Sequence, residues 1–303
     1  MQLSSKSKKT SKTKTKTKTK TKTKTKSNKY ILADRKKTKR QNQNSNRDRD
    51  PIRIFSYNVS WESLSGAKPG WELCNNAVDP KHPRHHTVCT GNISQVIEKN
   101  PSDFITLQEA GEYQKLIDQS PRMAKMLYKE HESGKDLVIT FWERKWKLLD
   151  HISGEFEIGR PWLACFFRDG NSDKGGCMVL VNVHFGHYNE QEEMEHLTIM
   201  MHNIIEYGKN KKINVKRFII SGDFNYDIKI LGNGERDERD DIIQIGDKKF
   251  YYHPKHILTC SIRRRRHYDH VIDTKSPPRD INIPDVHYMA SDHKPILAVL
   301  EPG

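Results

Sequence analysis

The chain has 303 residues and a formal net charge of +14 at neutral pH, and 34% of its residues are hydrophobic. The positive charge lies at one end: residues 1–50 carry 19 Lys and Arg against 3 Asp, which leaves residues 51–303 with a net charge of −2. No apolar run reaches transmembrane length, and the charged start leads into no apolar stretch, so we expect neither an integral membrane protein nor a secretory signal.

The first fifty residues form a tail whose composition differs sharply from the rest. Residues 13–26 are seven consecutive Thr-Lys pairs. This alternation has no apolar face and places like charges close together, which predicts disorder for residues 1–50. Such a basic tail is typical of electrostatic tethering to nucleic acid or of a nuclear localisation signal. A solubilising appendage is the alternative interpretation.

Residues 51–303 have the pattern of a single α/β domain with more strands than helices. The segment 178–184 is almost wholly apolar, as expected for a strand buried on both faces. Helical spacing is found at 92–99 and 190–207. In chain order, the predicted strands are 52–57, 103–107, 137–142, 146–152, 162–168, 178–184, 217–221, 268–273 and 295–300.

Polar residues stand at the ends of several of these strands. Considered singly, each of these residues fits an ordinary structural role, as a turn residue, a surface acid or a core histidine. Strand ends at one edge of an α/β sheet gather binding groups, and carboxylate and amide oxygens suit Mg²⁺. The joint pattern therefore predicts a site for a hard divalent cation and a phosphate. Its members are Asn58, Glu109, His184, Asp223, Asn225, Asp269, His270, Asp292 and His293.

The order of these motifs resembles the endonuclease/exonuclease/phosphatase superfamily. The matching segments are RIFSYN, FITLQEA, VNVHF, IISGDFN, YDHVID and SDHKPILAVL, which run from Arg53 to Leu300 and include nothing of the tail. The resemblance implies a four-layer, deoxyribonuclease I-like fold: a two-sheet β-sandwich flanked by helices. It also implies hydrolysis of phosphoric esters with Mg²⁺, or alternatively Mn²⁺, as the cofactor.

The resemblance implies roles for residues at the metal and at the attacking water. Glu109 corresponds to the metal-ligating glutamate, Asn58 to the asparagine that supports the metal site, and Asp292 to the acid beside the metal. Asp223 corresponds to the aspartate that orients or deprotonates the attacking water. Asn225 corresponds to its phosphate-holding neighbour.

Two histidines are implied to face the phosphate. His293 corresponds to the histidine that contacts the scissile phosphate, with Asp269 as the carboxylate that orients it. His184 corresponds to a further phosphate-facing histidine. Apurinic-site enzymes of the exonuclease III type usually carry Tyr at that position and an acid where this chain has Ser60, which argues against that branch. Deoxyribonuclease I, tyrosyl-DNA phosphodiesterases, deadenylases, sphingomyelinases and inositol polyphosphate phosphatases share the histidine.

Arginines supply the predicted substrate contacts. Arg263, Arg264, Arg265 and Arg266 directly precede the YDHV strand, so we expect them on a loop near the catalytic edge, where they suit phosphate contacts. Arg160, in a Gly-Arg-Pro turn, is a second candidate. The alternative to substrate contacts is that these are ordinary solvated surface arginines. For the run of four, a further localisation signal is also an alternative. Rings that could stack on bases lie nearby, at Tyr251, Tyr252, His253, His267 and Tyr268.

These features favour a Mg²⁺-dependent phosphodiesterase that cleaves nucleic acid. The alternative within the superfamily is a phosphatase or phosphodiesterase for phosphoinositides or phospholipids, with the tail on an anionic membrane surface. A catalytically inactive binding module is the third hypothesis. The presence of every expected metal and base position argues against it.

Five cysteines are an odd and sparse set, which predicts no disulfide framework and favours a reducing cytoplasmic or nuclear compartment. Cys74, His82, His85, His86 and Cys89 have the composition of a zinc site but not its usual spacing. A long reduced loop is the favoured interpretation of this segment.

Overall fold

Thirteen strands form two sheets in the computed structural model, which describes residues 50–65, 85–170, 176–228, 241–254, 258–260, 266–284 and 291–302. The strands are β1 (Ile52–Asn58), β2 (Phe104–Gln108), β3 (Leu127–Ser133), β4 (Asp136–Trp142), β5 (Trp146–Glu155), β6 (Pro161–Asp169), β7 (Cys177–His184), β8 (Val215–Asp223), β9 (Ile242–Ile245), β10 (Lys248–Tyr251), β11 (Asp269–Asp273), β12 (Asp280–Asn282) and β13 (Ile296–Leu300). One sheet has the order β12-β13-β1-β2-β4-β3, and the other has the order β5-β6-β7-β8-β11-β10-β9.

The described helices are α1 (Trp61–Ser65), α2 (His85–Lys99), α3 (Gln114–Gln119) and α4 (Glu190–Asn210), with a short 3-10 helix at Met123–Lys125. A capping box fixes the start of α4: the Asn189 side chain accepts from the Glu192 backbone, and the Glu192 side chain accepts from the Asn189 backbone. No described helix has both the length and the apolar character needed to cross a membrane.

Three apolar clusters define the layers. Residues of both sheets, such as Ile54, Leu180 and Ile219, form the cluster between the sheets. A second cluster packs α2 and α3 on the outer face of the six-stranded sheet. A third packs α4 on the outer face of the seven-stranded sheet. This helix–sheet–sheet–helix arrangement confirms the predicted four-layer sandwich.

Parallel pairing brings the predicted site residues to one edge. β1 runs parallel to β2, so Asn58 ends its strand beside Gln108, the residue before Glu109. β7 runs parallel to β8, which places His184 opposite Asp223. The close approach of these two strands requires glycine at 222, because a Cβ there would lie 2.1 Å from the Val183 carbonyl oxygen.

The nine predicted strands are all present, with bounds that differ by a few residues at most. Four strands were missed, namely β3, β9, β10 and β12, as were α1 and α3. β3 has the polar sequence LYKEHES and is a largely exposed edge strand, so its apolar signal is weak. α2 begins at His85, earlier than the predicted residue 92. The tail, residues 1–49, lies outside the described residues, and its disorder and the boundary at residue 50 stay predictions.

The cysteines depart from the expected fully reduced state. Cys165, Cys177 and Cys260 are free and buried. Cys89, at the buried face of α2, is disulfide-bonded, so the expectation of a reduced loop is wrong at that residue. A bonded sulfur no longer offers the thiolate that zinc requires. Cys74 and His82 lie outside the described residues, and the side chains of His85 and His86 are not described either.

Candidate active site

Asn58 links the two sheets at the centre of the site. It is buried, and its Nδ2 donates both to Glu109 Oε1 at 2.9 Å and to Asp223 Oδ2 at 3.0 Å. Glu109 has a positive φ of 54°, and its second oxygen accepts from the backbone of Trp61 at 3.2 Å. The amide of Asn58 therefore fixes the separation of two carboxylates that belong to different sheets.

Asp223 is wholly buried, and its oxygen Oδ2 faces several donors. The Nε2 atoms of His184 and His293 both lie 3.5 Å from this oxygen. Oδ1 accepts from the backbone of Asn225 at 2.8 Å. Burial raises the pKa of Asp223, but the neighbouring charges of His293 and His184 outweigh burial and hold it below its usual value. Asp223 is therefore a carboxylate at neutral pH.

His293 and Asp269 form a buried pair, as predicted. The Nδ1–Oδ2 distance is 2.8 Å, and Asp269 lies opposite Asp223 in the β8–β11 register. Burial lowers the pKa of His293, but the charges of Asp269 and Asp223 raise it well above its ordinary value. His293 is therefore an imidazolium at neutral pH that keeps Nδ1 on Asp269 and offers its Nε2 hydrogen to the site.

His184 has a carboxylate partner that the sequence did not reveal. Asp136, the first residue of β4, accepts a hydrogen bond from His184 Nδ1. Asn182 holds β7 to the other sheet in the correct position, because its Nδ2 donates to the carbonyls of Leu107 and Ile139 at 3.0 and 2.9 Å. Burial lowers the pKa of His184, but the charge and hydrogen bond of Asp136, together with the charges of Asp223 and Glu109, outweigh burial and raise it. Asp136 follows a Gly-Lys turn, where an aspartate is ordinary, so no local signal marks it.

Arg160 lies at the site, as predicted. Its Nη1 is 2.9 Å from His184 Nε2. A positive φ of 82° at Gly159 and a hydrogen bond from its backbone to Ser133 Oγ shape the turn that presents the guanidinium. Arg160 can donate to Nε2 only while His184 is neutral, whereas the nearby carboxylates favour its protonated form. Protonation of His184 and withdrawal of Arg160 are therefore coupled.

Asn225 and Asp292 lie at the periphery of this group. Asn225 has a positive φ of 51°, and its Nδ2 donates to the Phe185 carbonyl at 2.7 Å, which holds the loop after β7. Asp292 is exposed and clusters with Cys260 and His293. Among the described residues, no hydrogen bond or ion pair joins Asp292 to the Glu109 carboxylate. The phosphate role of Asn225 and the metal role of Asp292 stay predictions.

Arg266 is the member of the arginine run that the structure describes. Its backbone pairs with Cys260, which in turn forms a bridge with His293. The base of the loop therefore lies next to the site, and Arg266 is exposed there. Arg263, Arg264 and Arg265 lie outside the described residues.

The oxygen donors fit a hard divalent cation. Glu109 is the partly exposed carboxylate of the group, with 22% of its side chain accessible. Each of its oxygens accepts one hydrogen bond and keeps a further lone pair for a metal. Asn58 Oδ1, which accepts from the Ser60 backbone at 3.1 Å, is a second oxygen donor.

The sequence matches no family model and no curated protein. Solved structures with the same architecture are numerous, and three illustrate the range. An endonuclease/exonuclease/phosphatase from Bacteroides vulgatus has a TM-score of 0.56 at 16% identity, over 84% of this chain and 99% of that one. ANGEL2, a 2′,3′-cyclic phosphatase, has a TM-score of 0.58 at 17% identity, over 82% and 95%.

A mannosyl-6-phosphatase from Bacteroides thetaiotaomicron has a TM-score of 0.52 at 14% identity, over 82% of this chain and 98% of that one. All three align over nearly their full length. The chain has the fold of the endonuclease/exonuclease/phosphatase proteins.

Proposed function

We propose that the chain is a divalent-metal-dependent hydrolase of phosphoric esters that cleaves phosphodiester bonds in nucleic acid. One observation carries this proposal. Two histidines, each held by its own carboxylate, face the same oxygen of buried Asp223, beside the oxygen donors of Glu109 and Asn58.

Asp223 acts on the water nucleophile. Its lowered pKa makes it a weak base at neutral pH, so it orients the water by accepting a hydrogen bond. Asn58 holds the carboxylate through Oδ2 and the Asn225 backbone holds it through Oδ1. The direction of the remaining lone pairs is therefore fixed before a substrate binds.

His293 and His184 act on the phosphate. Charge develops on the phosphoryl oxygens during hydrolysis, and preorganised cationic donors stabilise it. His293 supplies a protonated Nε2. An anionic phosphate attracts Arg160 away from His184 Nε2, which lets His184 take up a proton and become a second donor. Arg160 then contacts the phosphate itself.

Glu109 and Asn58 would hold the metal, with Asp292 as the third predicted ligand. Mg²⁺ or Mn²⁺ bound there supplies neutralisation of the phosphate charge. Glu109 suits this role because its carboxylate is partly accessible, whereas Asp223 and Asp269 are wholly or almost wholly buried.

Nucleic acid is the favoured substrate because of what borders the site. Arg266 is exposed, and its backbone partner Cys260 also forms a bridge with His293. Tyr268, half-buried directly before Asp269, has its ring 6.3 Å from that of His187, so a pair of rings stands at the edge of the site. The fold itself does not choose a substrate, since it includes a cyclic phosphatase and a sugar phosphatase.

The test incubates the purified full chain, with Mg²⁺ and then Mn²⁺, against single- and double-stranded DNA, RNA, a 5′-tyrosyl oligonucleotide and inositol phosphates. We expect metal-dependent cleavage of a nucleic acid that is lost in Glu109→Ala. Asp247→Asn, an exposed carboxylate variant far from the site in sequence, is the matched control. Phosphate release from inositol phosphates without nucleic-acid cleavage would contradict the nucleic-acid substrate, and no turnover of any ester would contradict the hydrolase.

A further inference from the structure

The thiol of Cys260 faces the catalytic histidine. Its Sγ lies 3.5 Å from His293 Nε2, and the Asp292 carboxylate completes a cluster whose donor atoms all lie within 4.8 Å of one another. We propose that Cys260, His293 and Asp292 form a zinc site and that zinc bound there inhibits the enzyme. The inhibition rests on the proposed function, whereas the binding of zinc does not.

The backbone holds the thiol and the imidazole in fixed positions. Cys260 forms an antiparallel bridge with His293, and the Lys294 backbone donates to the Thr259 carbonyl at 2.6 Å. On its other side, Cys260 exchanges backbone hydrogen bonds with Arg266 at 2.9 and 3.2 Å. The two donors are therefore preorganised by a short ladder, which lowers the entropic cost of bringing them to one metal.

The distance between the two donors matches a tetrahedral zinc. With Zn–S of about 2.3 Å and Zn–N of about 2.0–2.1 Å, a tetrahedral angle separates sulfur and nitrogen by about 3.5 Å. The observed Sγ–Nε2 distance is 3.5 Å. Zinc can therefore enter between Cys260 and His293 without separating the segments that carry them.

The other nitrogen of His293 is held as in known zinc sites. Nδ1 donates to Asp269 Oδ2 at 2.8 Å, so Nε2 is the metal-binding atom, and zinc releases to solvent the proton that Nε2 carries at neutral pH. A carboxylate behind a ligating histidine fixes its tautomer and makes it more basic. Asp269 would serve as this orienting carboxylate for zinc as it does for catalysis.

The donor set differs from that of the proposed magnesium site, although the two sites share Asp292. Sulfur, nitrogen and one carboxylate suit Zn²⁺, whereas Mg²⁺ prefers oxygen ligands alone. Three protein ligands leave the fourth position for water. Zinc on Nε2 removes the donor that His293 offers to the phosphate, so turnover stops while zinc is bound.

The same geometry could instead suggest a nucleophilic Cys260–His293–Asp269 triad. Burial raises the pKa of the Cys260 thiol, so the thiol stays protonated at neutral pH and is a poor nucleophile. Coordination to zinc deprotonates a thiol outright, so the raised pKa does not prevent metal binding.

The direct test measures metal binding without any substrate. The full chain is titrated with Co²⁺, whose bond to a thiolate gives a charge-transfer absorption, and with Zn²⁺ in equilibrium dialysis. We expect the absorption in the wild type and its loss in Cys260→Ser. Zinc affinity should fall in that variant by at least the roughly 10–100-fold that loss of an outer-shell partner costs. Cys177→Ala, which removes another free buried thiol, is the matched control and should bind like the wild type.

The second test measures hydrolysis in Mg²⁺ at increasing buffered Zn²⁺. The wild type should lose activity over the range in which it binds zinc, and Cys260→Ser should hydrolyse at close to the wild-type rate and resist zinc. Equal zinc binding by Cys260→Ser and the wild type, or equal zinc inhibition of both, would overturn the site. Cys260-dependent zinc binding without any hydrolysis would refute the proposed function and leave the zinc site standing.

Discussion

His184 and His293 approach the same oxygen of Asp223, each with its Nε2 at 3.5 Å. They come from different places in the chain, the end of β7 and the segment before β13, and each is held from behind by a separate carboxylate, Asp136 or Asp269. The two histidines are therefore held alike, each with Nδ1 on a carboxylate and Nε2 toward Oδ2 of Asp223.

Replacement of Asp223 by Asn tests the centre of this arrangement. The substitution keeps the shape but removes the charge, so the water loses its anionic acceptor and both histidines lose a neighbouring anion. We expect kcat to fall by about 10²–10⁴-fold. The pKa values of His184 and His293, measured by NMR titration, should fall as well. A variant with unchanged kcat would remove Asp223 from the mechanism.

Asp136→Asn tests the carboxylate that the sequence did not reveal. Asp136 raises the pKa of His184, so its loss lowers that pKa and reduces the protonated fraction of His184 at neutral pH. We expect a lower kcat at neutral pH, partly recovered at lower pH, where His184 is protonated again. The measurement is the pH dependence of kcat.

Asp118→Asn, on the exposed face of α3, is the control for this prediction. A purely structural role for Asp136 would lower kcat by the same factor at every pH and would leave the shape of the profile unchanged.

The difference between Asp223 and Asp136 shows what the sequence can predict. Asp223 lies in SGDFN, where an apolar strand, an obligatory glycine and a polar end all point to one sheet edge. Asp136 acquires its role only because β4 packs across the sandwich onto β7, and this contact between sheets leaves no local pattern. The Cys260–His293 contact was missed for the same reason, since a bridge between two short segments creates it.

Asp273→Ala tests a buried ion pair at the end of β11 opposite Asp269. Arg217 Nε donates to both Asp273 oxygens, at 2.9 and 3.1 Å, and both residues are buried. Removal of the carboxylate leaves an uncompensated guanidinium in the interior, which costs about 3–5 kcal/mol in the free energy of unfolding. Urea denaturation should show this loss. Asp280→Ala, which removes an exposed carboxylate, should change stability little, and equal effects of the two would contradict the prediction.

Glu193, in the first turn of α4, is a wholly buried acid, and neither of its oxygens has a hydrogen-bond partner among the described residues. Burial, helped by the charge of Asp223, raises its pKa from 4.5 to about 9. The folded chain therefore keeps a proton that the unfolded chain releases, and stability falls as the pH rises from about 4.5 to about 9.

Glu193→Gln removes this titration while keeping a similar shape. Within that window the wild type loses stability as the pH rises and the variant does not. The difference in the free energy of unfolding should therefore grow in favour of the variant, by at most about 1.4 kcal/mol per pH unit. The measurement is the free energy of unfolding in urea at pH 5, 7 and 9 for both proteins. Glu195→Gln, on the same helix, is the control, because the Glu195 side chain lies toward solvent and should give a curve parallel to the wild type. A parallel curve for Glu193→Gln would mean that Glu193 is charged in the folded protein, with a partner to stabilise it.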